Sequence, residues 1–591
     1  MDDNREEKKG NYNEYYQDEL FFLREMGREF TETHPMLAHY LAEAGSDPDV
    51  ERLLEGFAFL TGRIRQKLDD ELPELTHTIM GLLCPHYLRP IPAMSIVEFE
   101  PQRTLRSKYL IPRNKTEVES APVANTRCKF RTCYDVEVLP LSVDDVTLEG
   151  QQIKILFRIL NGVQFSGLEL DKIRLNLHGD PAIQYELYNI LSRYVQRIII
   201  RPAGITQDDQ AVILDKNNIK VVGFDESEGI IPYPPNSFLG YRVVQEYFAF
   251  PDKFMFIDVI GIRPATKLAI QDSFEMVFQF SRRPSDSLRL TKDSIHVNCT
   301  PVVNLLSRPS DPIRIDSERT EYRIRPEGPN PQHYEVYSVD KVMGLVSGTA
   351  QQYEYKPFYS FVHSLSNSSN IYYQTRLRDS VTAENTTETY ISFVNPDQSF
   401  ATPTTEIISM DLTCINRQLS EQLRLGDIRV PTSSSPEIAK FRNITNVTPT
   451  VYPHFSGSLH WKLISHLTLN KLSVTSMEAL KGILSLYNFQ SAQRSAVAAE
   501  NQRRLDSIVG VRGIQRDRLY QGIPIRGTEI QVDMQESNFL NDGDMYLLCN
   551  VLNEFLALYS TINSFTQLTV KGASRGEVIA WQMRIGKQSP F

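Results

Sequence analysis

Residues 83–94 read Leu83-Cys84-Pro85-His86-Tyr87-Leu88-Arg89-Pro90-Ile91-Pro92-Ala93-Met94, and the chain changes character across them. A proline has no backbone N–H and pushes the residue before it out of the helical region, so no helix runs through this stretch. Upstream, apolar residues recur at three- and four-residue steps. Tyr16, Leu20, Leu23, Gly27 and Phe30 form one stripe, and Pro35 opens a short second helix. Asp47-Pro48 is a helix start, because Asp can cap free amides and Pro suits the first helical position. Behind it Val50, Leu53, Leu54, Phe57, Leu60, Ile64 and Leu68 keep the helical period. A fourth segment carries Leu72, Leu75, Ile79 and Leu83 and stops at Pro85.

Downstream of Met94 the period becomes two. Ile153, Ile155, Phe157 and Ile159 alternate with Lys154, Leu156 and Arg158, and Ile173, Leu175 and Leu177 alternate with Arg174, Asn176 and His178. Such alternation predicts strands with one buried face. Further strands fit Phe254–Ile257 and Met276–Phe280, whereas Pro232-Tyr233-Pro234-Pro235 cannot be a central strand. Asp180-Pro181 starts a helix with Ile183, Leu187, Leu191 and Tyr194 on its apolar face. Ser364–Asn370 and Pro431–Pro436 are small and polar, which predicts exposed loops. Helices return late. Thr475 with Glu478 predicts a capping box ahead of Leu480, Ile483, Leu484 and Tyr487, and a longer helix carries Leu548, Val551, Leu552, Phe555, Leu556 and Tyr559. The expectation is an α+β multidomain chain: a helical segment over 1–92, β-rich middle arms over 93–345, a β- and loop-rich region over 346–450 and an α+β C-terminal domain over 451–591.

Composition narrows the function. The 591 residues are enough for several domains, with 23% charged and 41% apolar residues as in a folded protein. Lys and Arg number 63 against 73 Asp and Glu, a net charge of −10, which argues against nucleic acid as the main partner. The start, MDDNREEKKG, has no apolar core of a secretory signal, and the most apolar stretch, 247–262, is broken by Asp252, Lys253 and Asp258. The expectation is a soluble intracellular protein that does not insert in a membrane, so the sequon at Asn385 carries no weight. Cysteines at 84, 128, 133, 299, 414 and 549 contain no Cys-x-x-Cys pair and are expected as reduced, buried thiols.

No catalytic constellation survives inspection. Gly572-Ala573-Ser574-Arg575-Gly576 fits the Gly-x-Ser-x-Gly elbow of serine hydrolases, and a strand over Phe565–Val570 fits ahead of it. The elbow needs a helix next, yet Val578–Met583 reads as a strand. The triad order needs a later His, and His466 is the last. A hairpin turn is the competing reading. His460 and His466 are spaced wrongly for a helical zinc pair, and no phosphate-binding Gly loop occurs. The aromatic cluster of Tyr241, Tyr247, Phe250 and Phe254, with Glu246, is expected as core rather than ligand site.

Several separated motifs, taken in order, identify a family. They are Tyr15-Tyr16 with Glu19-Leu20 and Leu23-Arg24-Glu25, then Asp47-Pro48-Asp49-Val50-Glu51-Arg52-Leu53-Leu54-Glu55-Gly56-Phe57-Ala58-Phe59-Leu60. The centre adds Gly240-Tyr241-Arg242, Gln245-Glu246-Tyr247-Phe248-Ala249-Phe250-Pro251 and Phe254, followed by Pro301-Val302-Val303-Asn304-Leu305 and Cys414-Ile415-Asn416-Arg417. Ser465-His466-Leu467-Thr468-Leu469-Asn470, Phe555, Tyr559, Asn563-Ser564-Phe565 and Trp581 complete the set. Over nearly its whole length the chain resembles the TssF family, baseplate wedge proteins of bacterial type VI secretion systems. Val243-Val244, where the family is Leu-rich, is a volume-tolerant departure.

The resemblance implies a structural wedge subunit similar to those of contractile phage baseplates, without catalytic residues, metal or cofactor. It implies two copies of this chain with one TssG-like subunit, contacts to TssK and TssE, and a VgrG-type hub inside the ring. It also implies a cytoplasmic protein, held at the cytoplasmic face of the inner membrane once assembled. A phage-tail or tailocin wedge protein is the nearest rival, and a hydrolase using Ser574 the remote one. Ninety residues of short helices make a marginal core, so their surplus apolar faces are expected to meet partners. Tyr16, Leu20, Leu23, Phe30, Phe57 and Leu60 are the candidate interface there. Phe555 and Tyr559 are candidates in the C-terminal region, which is expected to join the two copies, although its two apolar helix faces could instead pack on each other.

Overall fold

A computed structural model of the chain describes residues 16, 20, 23, 49, 52–61, 80–81, 85–205, 210–233, 240–315, 319–346, 352–358, 372–379, 387–394, 406–453, 476–489, 496–520, 522–557, 560 and 564–586. The chain divides into two compact units, Met1–Leu88 with His454–Thr468, and Arg89–Pro453 with Leu469–Phe591. In the first unit, residues 16, 20, 23, 49, 52–61 and 80–81 are helical. Phe30, Ile64, Leu68, Leu72, Leu75, Ile79 and Leu83, which complete the expected stripes, lie outside the described residues.

The second unit is built on sheets, as the two-residue period requires. A six-stranded antiparallel sheet runs in the order Ile428–Pro431, Glu117–Val123, Thr126–Thr132, Cys299–Val303, Met94–Pro101 and Ala439–Asn443. A five-stranded one has Val212–Asp215, Val195–Pro202, Ser273–Phe280, Gln152–Ile159 and Leu141–Glu149. A four-stranded one has Ile219–Val221, Phe256–Ile260, Lys172–Leu177 and Ile295–His296. The largest is organised around Glu335–Val346 and Glu406–Ile415, with Tyr372–Asp379 and Thr387–Val394 at its other end. Strand pairings therefore cross the boundary expected at 345: Glu335–Val346 pairs with Glu406–Ile415, and Met94–Pro101 pairs with Ala439–Asn443.

Five helices among the described residues serve this unit: α1 (Pro181–Arg193), α2 (Gly240–Ala249), α3 (Met477–Leu486), α4 (Ala496–Asp506) and α5 (Asp542–Ala557). Asp180 is the N-cap of α1 and Pro181 its first residue, as the sequence indicates. Two readings are corrected in detail. Helix α3 is capped at Ser476 without a side-chain capping bond, and Thr475 lies outside the described residues. Pro251–Phe254 is a 3-10 turn, so the strand expected over 254–257 starts at Phe256. Helix α5 is the crossover between two parallel strands, Ile523–Met534 and Ser564–Gly572. It meets α1 so closely that a Cβ on Gly543 would overlap the Tyr185 carbonyl oxygen.

Helix α2 sits at the centre, and every one of its residues is buried, Arg242, Gln245 and Glu246 included. Glu246 Oε1 accepts the N–H groups of Ile230 and Ile231, both at 2.8 Å, and Oε2 pairs with the Lys253 ammonium. Both side chains of this pair are fully buried. Burial pushes the Lys253 pKa down, opposed by the Glu246 charge. Arg242 donates to the carbonyls of Glu226 and Asp225, each at 3.1 Å. Tyr241 stacks on Tyr487 with ring centroids 4.7 Å apart and lies 5.6 Å from Phe555. A second polar knot lies nearby: Arg504 pairs with Asp544 at 2.9 Å, donates to Tyr185 Oη at 3.1 Å and faces the Tyr247 ring at 5.7 Å. Asn501 joins the two by donating to the Phe248 carbonyl at 3.1 Å.

Removing one member of a buried ion pair strands the other, which costs about 3–5 kcal/mol. Glu246→Gln and Lys253→Met are each expected to destabilise the second unit by about that much, and the double substitution by clearly less than their sum. Denaturant unfolding of the four proteins measures the coupling.

A histidine pair links the six- and four-stranded sheets. His296 Nδ1 lies 2.8 Å from Glu98 Oε1, and the His178 ring meets His296 edge-on at 5.1 Å. Burial, then the neighbouring His296, pushes His178 below its ordinary 6.5. Burial would raise Glu98, but the His296 hydrogen bond and charge, with Arg442, outweigh it and hold the carboxyl below 4.5. Both folded pKa values are depressed, so each group's stabilisation is present above its unfolded value and is lost as pH falls through the folded one. Stability should decline as pH drops below 6.5 and again below 4.5. His178→Asn should flatten the first decline, which urea midpoints at successive pH values will record.

Candidate assembly surfaces

The helix over 52–61 exposes what a helix normally hides. Leu53, Phe57, Phe59 and Leu60 are 73%, 61%, 46% and 59% exposed. Leu53, Phe57 and Leu60 fall on one face at helical spacing, and Phe59 lies on another, so the helix is apolar on more than one side. Among the described residues, Thr61 Oγ1 donates to the Phe57 carbonyl at 2.7 Å, and Arg52 lies 3.9 Å from Asp49. Tyr16, Leu20 and Leu23 are helical and half-buried, while Phe30 lies outside the described residues.

The C-terminal candidates have a different fate. Leu480, Ile483, Leu484 and Tyr487 of the α3 face, and Leu548, Val551, Leu552, Phe555 and Leu556 of the α5 face, are all essentially without exposure. They fill this chain's own core, and they do so through Tyr241 of α2, which touches both Tyr487 and Phe555. Phe555 is corrected from partner contact to core residue, because it lies under Tyr241 with no surface left to offer. Tyr559 lies outside the described residues.

One projecting element was not singled out from the sequence. Ile508–Tyr520 and Ile523–Met534 form a long antiparallel hairpin turning at Gly522, whose φ of +82° favours glycine. The third strand begins at Ser564, opposite Arg526, so among the described residues the last pairs continue as two strands. At that junction Gly527 has no side chain, and Phe565 of the neighbouring strand covers it. Beyond it Leu519 and Ile523 are 75% and 64% exposed, and Arg512, Arg516, Arg518 and Arg526 are exposed along the hairpin. The signal was present in alternation on both sides of Gln521-Gly522, but interspersed arginines hid it from a search for apolar runs.

The Ser574 motif is a turn between antiparallel strands, Ser564–Gly572 and Val578–Ala580. Gly576 adopts φ +69°, and the Ser574 and Arg575 N–H groups donate to Glu536 at 2.9 and 3.0 Å. Partial burial would raise Glu536, but those two backbone donors prevail and bring it down to about 2. Ser574 Oγ accepts from Gln535 Nε2 at 3.1 Å, and the element that follows the serine is the strand Val578–Ala580. Cys128, Cys133, Cys299, Cys414 and Cys549 are buried free thiols, and burial pushes Cys128, Cys133 and Cys414 up to about 12. Among the described residues no cluster of three or more His, Cys, Asp or Glu could hold a metal, and no helix is long and apolar enough to cross a membrane.

Comparison with known proteins gives a consistent picture. The family model for the type VI secretion system protein TssF matches residues 9–588. The type VI secretion system component TssF1 of Pseudomonas aeruginosa is 30% identical, over 97% of this chain and 98% of that protein. A chain in the cryo-electron microscopy structure of a type VI TssK-TssF-TssG baseplate subcomplex matches with a TM-score of 0.75 and 30% identity, covering 92% of this chain and all of that one. A chain of a type VI baseplate complex matches at 0.61 and 26% identity, covering 98% of this chain.

Because Ser574 caps a turn and its side chain is exposed, Ser574→Ala should leave stability within about 0.5 kcal/mol of the parent protein. Any ester turnover by the purified protein should be the same for both. Glu536→Ala, which orphans two turn amides, should cost about 1 kcal/mol. Thermal midpoints of the variants check the ranking.

Proposed function

The chain belongs to the TssF family of type VI secretion system proteins, and we propose that it is a wedge subunit that scaffolds sheath and tube assembly around a VgrG-type hub. Its partners in this reading are a TssG-like subunit, with two copies of this chain for each, then TssK and TssE. The complex assembles in the cytoplasm, at the cytoplasmic face of the inner membrane. The shared architecture with a chain of the TssK-TssF-TssG subcomplex supports the first two partners.

The observation that carries the reading is the exposed apolar helix over 52–61. Burying a large apolar side chain contributes about 1.5–3 kcal/mol, and leaving four in water forfeits that gain. A helix apolar on more than one side belongs inside a bundle, and the neighbours that complete this bundle are helices of the TssG-like subunit. Tyr16, Leu20, Leu23 and Phe30 would line the same bundle. The interior supports a mechanical role: buried ion pairs hold one arrangement of sheets and helices, which suits a part that must keep its geometry while a sheath contracts.

Phe57→Asp and Leu60→Asp put a charge where the bundle would close, which costs several kcal/mol at a buried interface and little on an exposed one. Each variant should keep the thermal midpoint of the free chain and lose co-purification with the TssG-like subunit. Normal stoichiometry in the pull-down with either variant would contradict the bundle.

A further inference from the structure

We propose that the hairpin Ile508–Met534 is an arm that grips the acidic body of a second copy of this chain. The inference rests on the two-copy wedge proposed above and assigns its contact. Residues 508–534 hold four arginines, no lysine and three acidic residues, Asp517, Glu529 and Asp533, a net charge of +1 in a chain of −10, so the other residues carry −11; all four arginines fall within 511–526. The arm is therefore a basic element projecting from an acidic molecule. Arg512, Arg516 and Arg518 lie on one face of their strand, opposite Gln531, Gly527 and Ile525. Only Arg516 has an ion pair among the described residues, with Glu529 at 3.4 Å. The basic stripe is about 20 Å long at strand rise, and Leu519 and Ile523 stand exposed at its end. A two-stranded ribbon in water is marginal at best, so the tip gains most by lying against another surface.

The chemistry selects the occupant. Guanidinium forks match carboxylates, and a second copy supplies an acidic surface in excess. Pairing of two arms along their open edges would bring edge arginines together, which opposes strand addition. The acceptor is thus the body of the other copy, not its arm. An anionic bilayer fits less well, because the arginines extend along the arm instead of ringing its tip, and docking would press a −11 body against like charge.

The test uses the full chain, produced in two differently tagged forms together with the TssG-like subunit. Native mass gives the copy number, and a photo-reactive benzoylphenylalanine at Leu519 reports what the tip touches. The expected result is two copies, a copy-to-copy adduct, and at least a tenfold loss of that adduct in Arg512→Glu/Arg516→Glu/Arg518→Glu. The three Arg→Lys changes should retain most of it, and 0.5 M salt should weaken it. All of these residues are exposed, and an unchanged thermal midpoint will show that the variants fold. Two copies with adducts only to the TssG-like subunit, to added phosphatidylglycerol vesicles, or to nothing would overturn the arm and leave the wedge reading standing. A single copy would overturn the wedge stoichiometry and the arm with it.

Discussion

A carboxylate removed from water must be given donors by the chain, and Glu246 receives three. Two are backbone amides of Ile230 and Ile231, and the third is the ammonium of Lys253, itself wholly buried. One side chain thereby fixes a loop, the central helix α2 and the 3-10 turn that leads into Phe256–Ile260. The remaining contacts of α2 depend on that placement. Tyr241 can stack on Tyr487 only with the helix held in this rotation, and Asn501 reaches the Phe248 carbonyl only from the same position. Alternative packings would leave a charge without a partner in a low-dielectric interior, which is a strong reason for one arrangement to dominate.

The Arg504–Asp544 knot extends this constraint to the C-terminal helices. Asp544 lies at the start of α5, Tyr185 belongs to α1 and Tyr247 to α2, so one guanidinium meets groups from three helices. Helix α5 then carries the parallel crossover from which the hairpin projects. This suits the scaffold role proposed above: the buried titratable groups named here hold structure, with Lys253 paired to Glu246 and Arg504 to Asp544 within the chain.

Phe57 and Phe555 show why an apolar residue has two possible destinies. Both sit at helical spacing with similar neighbours, and both were candidate partner contacts. Phe555 is fully buried because Tyr241 and the sheet beneath α5 cover it, whereas Phe57 is 61% exposed. Periodicity states that a face wants to be covered; it does not state by what. The same limit applies to the hairpin, whose alternating pattern was readable but whose projection past Ser564 follows from where the third strand stops.

The sequence by itself determined the elements whose cause is local. Proline spacing at 85–92 ended the helical segment, alternation at 152–159 and 172–177 made strands, Asp180-Pro181 opened α1, and glycines at 572 and 576 bracketed a turn. Many ordered motifs also carried the family, since each constrains the chain independently. Only the tertiary structure decided which strands share a sheet across hundreds of residues, that Glu246 and Lys253 are buried together, and which apolar faces remain open. Those outcomes depend on contacts between residues far apart in the chain. Local spacing fixes a residue's direction on its own element, but burial and charge pairing depend on what the rest of the fold brings against it.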